Sequence, residues 1–182
     1  MRHLGTRPLE TPRLHLRPLT DADAPDMLRN WAGDGEVTKY LTWPPHADVG
    51  VSQGYIRSID YADPAVYSWG IELKELGQVI GSIGAVGHRD EIEMVHIGYC
   101  LGLGWWHTGV MSEAFAAVIR FFFEEVGVNR IEARYDPRNP NSGRVMQKCG
   151  LVYEGTLRQS GRSNAGLGDM AWYAILREDY VK

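Results

Sequence analysis

The chain has 182 residues, 44% of them apolar and 23% charged, a balance that suits one domain (1–182) with a sizeable core. Its formal net charge of -4 gives no electrostatic reason to expect nucleic acid or an anionic membrane as partner. The stretch Met1 to Leu9 is too polar for a signal peptide, and the best apolar run, Ala114 to Phe123, is broken by Arg120 and too short for a bilayer, so a cytoplasmic location is expected.

Arg13 to Arg17 (RLHLR) alternates apolar and polar residues and predicts a strand that Pro18 ends. Thr20-Asp21 opens a helix to about Trp31, with Asp23 in its first turn and Gly33 and Gly35 closing it. Trp43-Pro44-Pro45 is a rigid loop, and Ala47 to Tyr61 is expected to be helical. Val66 to Leu73 and Gln78 to Val86 predict a hairpin around Lys74 to Gly77. After a turn at His88 to Asp90, Glu91 to Leu101 predicts a strand that sets Met94 and His96 on one face and Val95, Ile97 and Tyr99 on the other. Val110, Ala114, Ala117, Val118, Phe121 and Phe122 form one stripe of a helix from Gly109 to about Val126, which Gly127 ends. A strand Arg130 to Tyr135, a short helix Asn141 to Lys148, and strands Leu151 to Leu157 and Ala171 to Leu176 complete the pattern. A helix between two strands makes that pair parallel, whereas the preceding hairpins are antiparallel. The expected fold is α/β (α+β), with a mixed, mostly antiparallel sheet of about seven strands.

Gly102 to Phe123 (GLGWWHTGVMSEAFAAVIRFFF) puts small and hydroxyl residues at the mouth of the central helix. Unpaired N–H groups and the helix dipole make such a mouth a place for an anion, and Gly109 allows close approach. Thr108 can cap and Ser112 adds a hydroxyl. No P-loop lysine and no GxGxxG are present, which argues against nucleoside triphosphates and nicotinamide dinucleotides. A glycine before a helix is also plain punctuation, so these residues alone leave both readings open. Cys100 and Cys149 form no CxxC, and the histidines lack metal-site spacing, so no metal is expected.

"YCLGLGWWHTGVMSEA" resembles the acetyl-CoA loop of the GNAT superfamily, in the RimJ/RimL-type form. Trp106, Gly109, Met111, Ser112, Glu113 and Ala114 match that form, and His107 stands where a glycine is usual. "LETPRLHLRPLTDADAPDM" is similar to the opening strand and helix of that branch, and "NRIEARYDPRNPNSGRVMQKCGLVYEGTLR" to its second half. The resemblance implies an acetyl-CoA-dependent N-acetyltransferase. The amides of Trp106, His107, Thr108, Gly109, Val110, Met111 and Ser112 would hold the pyrophosphate. Tyr99, Cys100 and Leu101 would pair with the pantetheine arm, an N–H near Cys100 would stabilise the oxyanion, and Asn139 and Ser142 would lie along the arm and near the sulfur. Without the likeness, Asn139 reads as a turn residue and Ser142 as a helix cap.

Acyl transfer needs a neutral amine, so the site must accept a proton. By position His96 resembles the base of several GNAT members; Glu93 and Glu91 are competitors that act through water or hold the positive charge of the substrate. Many members carry a tyrosine acid four residues after Ser142, where this sequence has Met146, so Ser142 or a water would have to serve the thiolate. Trp43-Pro44-Pro45 is a candidate acceptor wall. The implied acceptor is a protein N-terminal α-amine, with a polyamine, amino acid or aminoglycoside as alternative, and the resemblance leaves room for a homodimer. A non-catalytic acyl-CoA-binding sensor is the rival of another class.

Overall fold

Alternation sorts the strands of one eight-stranded sheet, ordered β1-β2-β3-β4-β5-β6-β8-β7 in a computed structural model that describes residues 1–180. The strands are β1 (Leu9–Glu10), β2 (Leu14–Arg17), β3 (Ser68–Leu73), β4 (Gln78–Arg89), β5 (Met94–Leu101), β6 (Arg130–Tyr135), β7 (Val152–Ser163) and β8 (Gly166–Leu176). Every neighbouring pair is antiparallel except β5 and β6. Helix α4 (Val110–Phe121), extended by a π turn over Phe122–Val126, makes the crossover between those two, and Gly127 ends it at φ 83°. All six residues of the predicted stripe are buried, as are Met111, Phe115 and Ile119, so α4 is covered on most sides. Its partners in the main core include Leu14, Leu16, Trp69, Ile71, Val95 and Ile97.

A second core gathers Leu19, Met27 and Trp31 with Ile56 and Val79. It lies under α1 (Ala24–Met27), which continues through a π turn over Leu28–Ala32, and α3 (Val49–Arg57). Asp23 supports the start of this helical stretch by accepting from the Thr20 N–H at 2.8 Å. Gly35 does not close it but opens a short α2 (Gly35–Thr38), capped by Asp34. The last helix, α5 (Pro140–Lys148), begins one residue before the predicted start, with Asn139 as its N-cap residue.

Two sequence expectations fail for identifiable reasons. The β7–β8 hairpin runs far past Leu157, because Arg158 to Ser163 face solvent and carry no apolar alternation to mark them. The strand predicted from Glu91 starts only at Met94: Asp90–Ile92 form a 3-10 turn and Glu93 takes the left-handed conformation at φ 50°.

Candidate functional site

The parallel pairing of β5 with β6 lasts for only three register positions, Met94 with Arg130, Val95 with Ile131 and His96 with Glu132. Beyond them β5 continues to Leu101 paired only with β4, which leaves one backbone edge of its second half open to the gap. The Gly102 N–H donates to the Ile80 carbonyl on β4, so by alternation the amide of Cys100 also faces β4. The open edge therefore belongs to Tyr99 and Leu101. The Leu101 carbonyl accepts from Trp106 Nε1 at 2.8 Å, which ties the following loop to the strand.

That loop leads into α4 without a side-chain cap. The backbone N–H groups of His107, Thr108, Gly109, Val110, Met111 and Ser112 find no hydrogen-bond acceptor among the described residues. Such a run of donors at a helix start is chemically an anion cradle. Gly109 holds φ 81°, and His107 holds φ 63°, a conformation that explains why a glycine would suit its position. Thr108 does not cap the helix, because its hydroxyl donates to the Trp105 carbonyl at 2.6 Å. The mouth is braced from below by Glu113, whose carboxylate accepts from Thr11 Oγ1 at 2.6 Å, from the Arg13 amide at 2.9 Å and from Arg13 Nε at 2.6 Å.

A cleft of about 470 Å³ runs from this mouth along the open edge of β5 to α5. Tyr99, Cys100, Leu101, Trp106, His107, Gly109, Met111, Ser112, Asn139 and Ser142 all line it; Thr108 and Val110 do not. Arg144 and Lys148 on α5 add positive charge to its wall. At its inner end Tyr99 donates its hydroxyl to the Ser142 carbonyl at 2.9 Å, and Asn139 Nδ2 donates to Ser142 Oγ at 3.2 Å. Burial holds the Tyr99 phenol far above its ordinary pKa, so it stays a donor.

A second cleft of about 600 Å³ adjoins the first and shares nine lining residues with it, Tyr99, Cys100, Arg134, Tyr135 and Asp136 among them. His96 lines this one. Its Nδ1 stands 3.3 Å from Glu132 Oε1, and Arg130 Nε holds the other oxygen of Glu132 at 3.1 Å. The ring sits edge-on to Trp172, 5.3 Å away. Burial lowers the imidazole pKa, and the Glu132 carboxylate offsets that only in part. A neutral imidazole oriented through one nitrogen presents the other as a proton acceptor.

A family model described as an acetyltransferase (GNAT) domain matches residues 13–152, more than half of the chain. The chain belongs to the GNAT acetyltransferases. It is 32% identical to the uncharacterized N-acetyltransferase p20 of Bacillus licheniformis over 95% of this chain and 98% of that one. A shorter stretch, 37% of this chain and 34% of the relative, is 34% identical to the [ribosomal protein uS5]-alanine N-acetyltransferase of Escherichia coli. The fold superposes with a TM-score of 0.82 on the microcin C7 self-immunity acetyltransferase MccE, solved with acetyl-CoA and AMP, at 18% identity over 91% of this chain and 93% of that one. As a GNAT N-acetyltransferase the chain is an acyltransferase with an amine substrate, which sets the non-catalytic sensor aside. Enzymes of this family use acetyl-CoA.

Within this GNAT fold the sequence-based site residues divide. The loop and α5 candidates meet along one cleft and His96 lines the adjoining one, but Glu93 lines neither. The carboxylate of Glu93 lies 3.5 Å from the amino group of Met1, and its carbonyl accepts from the Asn129 amide. Its left-handed turn takes it out of the strand expected from Glu91, where alternation would set it on the face opposite His96. Glu91 precedes it in the same turn and lines neither cleft. Met146, 1% exposed, is a core residue. Cys149 is half-buried, with its thiol pushed up to about 12 by burial, as in an inert packing position. Sequence reasoning missed Glu132 and Tyr135, which reach the site only through strand pairing, and the pairing of Arg13 with Glu113, which meet across the chain. Trp172, one of the tryptophans that the sequence left between core and acceptor cleft, packs against His96.

Proposed function

We propose that this enzyme binds acetyl-CoA along the first cleft and transfers its acetyl group to a primary amine entering through the second, the whole chain acting as one catalytic unit. One observation carries the reading: the acceptor-free amides from His107 to Ser112 open α4 beside the point where β5 and β6 part. A diphosphate would satisfy those donors at once, and small or turn residues leave its path clear. The open edge of β5 offers the Leu101 amide and the Tyr99 carbonyl to the pantetheine amides.

In the reaction the amine nitrogen attacks the thioester carbonyl. A C–N bond forms, the C–S bond breaks, and the amine proton passes to Nε2 of His96 while Nδ1 donates to Glu132. The Tyr99 amide, on the open edge, is the donor suited to the developing oxyanion. The Ser142 hydroxyl accepts from Asn139 and keeps its own hydrogen for the departing thiolate. The Tyr135 phenol is a second proton source: it lines both clefts, and burial raises its pKa.

A protein N-terminal α-amine is the leading acceptor. The local likeness to the uS5-alanine enzyme supports it, as does the lower pKa of an α-amine, near 8 against about 10.4 for lysine. Free-thiol release from acetyl-CoA, screened over peptides and small amines side by side, tests the reading. Release with an N-terminal peptide supports it; CoA affinity without release for any amine sinks the transfer, and absence of CoA binding sinks the cradle.

A further inference from the structure

We propose that the second cleft holds an anion subsite built by Arg134 and Arg162, so that the acceptor amine also bears a carboxylate or phosphate group. The inference rests on the acetyl-transfer reading above but departs from the protein N-terminus named there, whose α-carboxyl is an uncharged amide, in favour of a small acidic amine. Among the residues lining that cleft the one carboxylate is Asp136, and it is already engaged. Arg138 donates to it through Nε at 2.9 Å and Nη2 at 2.6 Å. The two guanidiniums that line the cleft, those of Arg134 and Arg162, are exposed and make no ion pair among the described residues. In a chain of net charge -4, this local excess of positive charge is not background.

Arg134 is close to the chemistry. It lies two residues beyond Glu132 on β6, and its guanidinium sits 5.3 Å over the Trp172 ring, whose other neighbour is His96. An unpaired donor also lies beneath the wall. Trp31 borders the cleft, is fully buried, and its Nε1–H has no acceptor among the described residues. Guanidiniums donate and accept nothing, and the buried indole adds no acceptor, so the two arginines fit an oxyanion rather than another cation. The same charges favour the neutral form of an incoming amine, which is the form that attacks. A polyamine or aminoglycoside, by contrast, would bring several positive charges to a cleft with no free carboxylate.

The test uses the full-length enzyme with acetyl-CoA and matched acceptors: L-alanine against L-alaninamide, O-phosphoethanolamine against ethanolamine, and spermidine. Thiol release should favour the anionic member by about tenfold or more in kcat/KM, and Arg162→Gln or Arg134→Gln should erase most of that ratio. An advantage within the first pair assigns a carboxylate, and one within the second a phosphate. Equal rates within both pairs, preference for spermidine, or a ratio unchanged in both variants overturns the proposal. A readout independent of turnover is tryptophan fluorescence during titration of the CoA-loaded enzyme with N-acetyl-L-alanine, N-acetyl-L-alaninamide or inorganic phosphate. No anion-dependent change there, together with no turnover, also overturns it. Calorimetric CoA affinity, expected to be intact in Arg162→Gln because Arg162 lines only the second cleft, separates this failure from failure of the acetyl-CoA site.

Discussion

His96 and Glu132 form the last register pair before β5 and β6 separate, and Nδ1 of the one lies 3.3 Å from Oε1 of the other. The imidazole therefore stands where the parallel strands open, held from behind by a carboxylate that Arg130 holds in turn. Glu132→Gln removes the charge that opposes burial, so the His96 pKa should fall further below its ordinary value. The acid limb of kcat/KM against pH should move to lower pH, with kcat at pH 7 down by about tenfold. His96→Ala should abolish that limb. A limb unmoved by either change would remove His96 from the role.

The same lowered pKa has a signature in stability. Between the folded pKa and the ordinary value near 6.5, the unfolded chain binds more protons at this histidine than the folded one. Its contribution therefore improves as pH rises through that window and is level above it. The Tm of the wild type minus that of His96→Gln, followed from pH 5 to 8, should rise through the window and then flatten. A difference independent of pH would contradict the buried neutral imidazole.

The sheet, the crossover and the start of α4 were legible because alternation and the Val110 to Phe122 stripe are local patterns. The pairing of His96 with Glu132 was not, since it spans 36 positions, and nor was that of Arg13 with Glu113, which spans 100. Periodicity records which face a residue takes, not which distant side chain it meets there. Glu93 misled for the opposite reason: it sits next to a true strand, but its left-handed turn depends on tertiary contacts to Met1 and Asn129.

His107 occupies the left-handed region without being glycine, a conformation that costs a side chain about 1 kcal/mol or more. His107→Gly should raise Tm modestly, a gain reduced by the extra freedom of glycine in the unfolded chain. CoA affinity should persist, because the proposed contacts are backbone amides. Loss of affinity by calorimetry would assign the contact to the imidazole instead.

Glu113 fixes the helix mouth through bonds to Thr11 and Arg13. Burial works against its charge, but those bonds prevail and hold its pKa below the ordinary value. A carboxylate held low stabilises the fold above its unfolded pKa, and that contribution is lost as pH falls through the folded one. Glu113→Ala should cost about 2 kcal/mol at pH 7, a Tm drop of about 4–8 °C, and the deficit should shrink in acid. CoA affinity should weaken with it, since the mouth loses its brace. A pH-independent deficit would point to packing alone.

Gly143 stands where the Tyr135 ring crosses α5: a Cβ there would lie 2.5 Å from both Cζ and the hydroxyl oxygen. No atoms pack that closely, so in Gly143→Ala the ring must swing out of the junction of the two clefts. Tyr135→Phe leaves the ring in place and removes only the hydroxyl. If the phenol protonates the departing thiolate, both variants should lower kcat by about tenfold or more while CoA affinity changes little. If the ring merely shapes the junction, Gly143→Ala should raise the acceptor KM and Tyr135→Phe should behave as wild type. Steady-state kinetics of the pair, with CoA affinity measured by calorimetry, separate the two roles and identify what replaces the tyrosine missing at Met146.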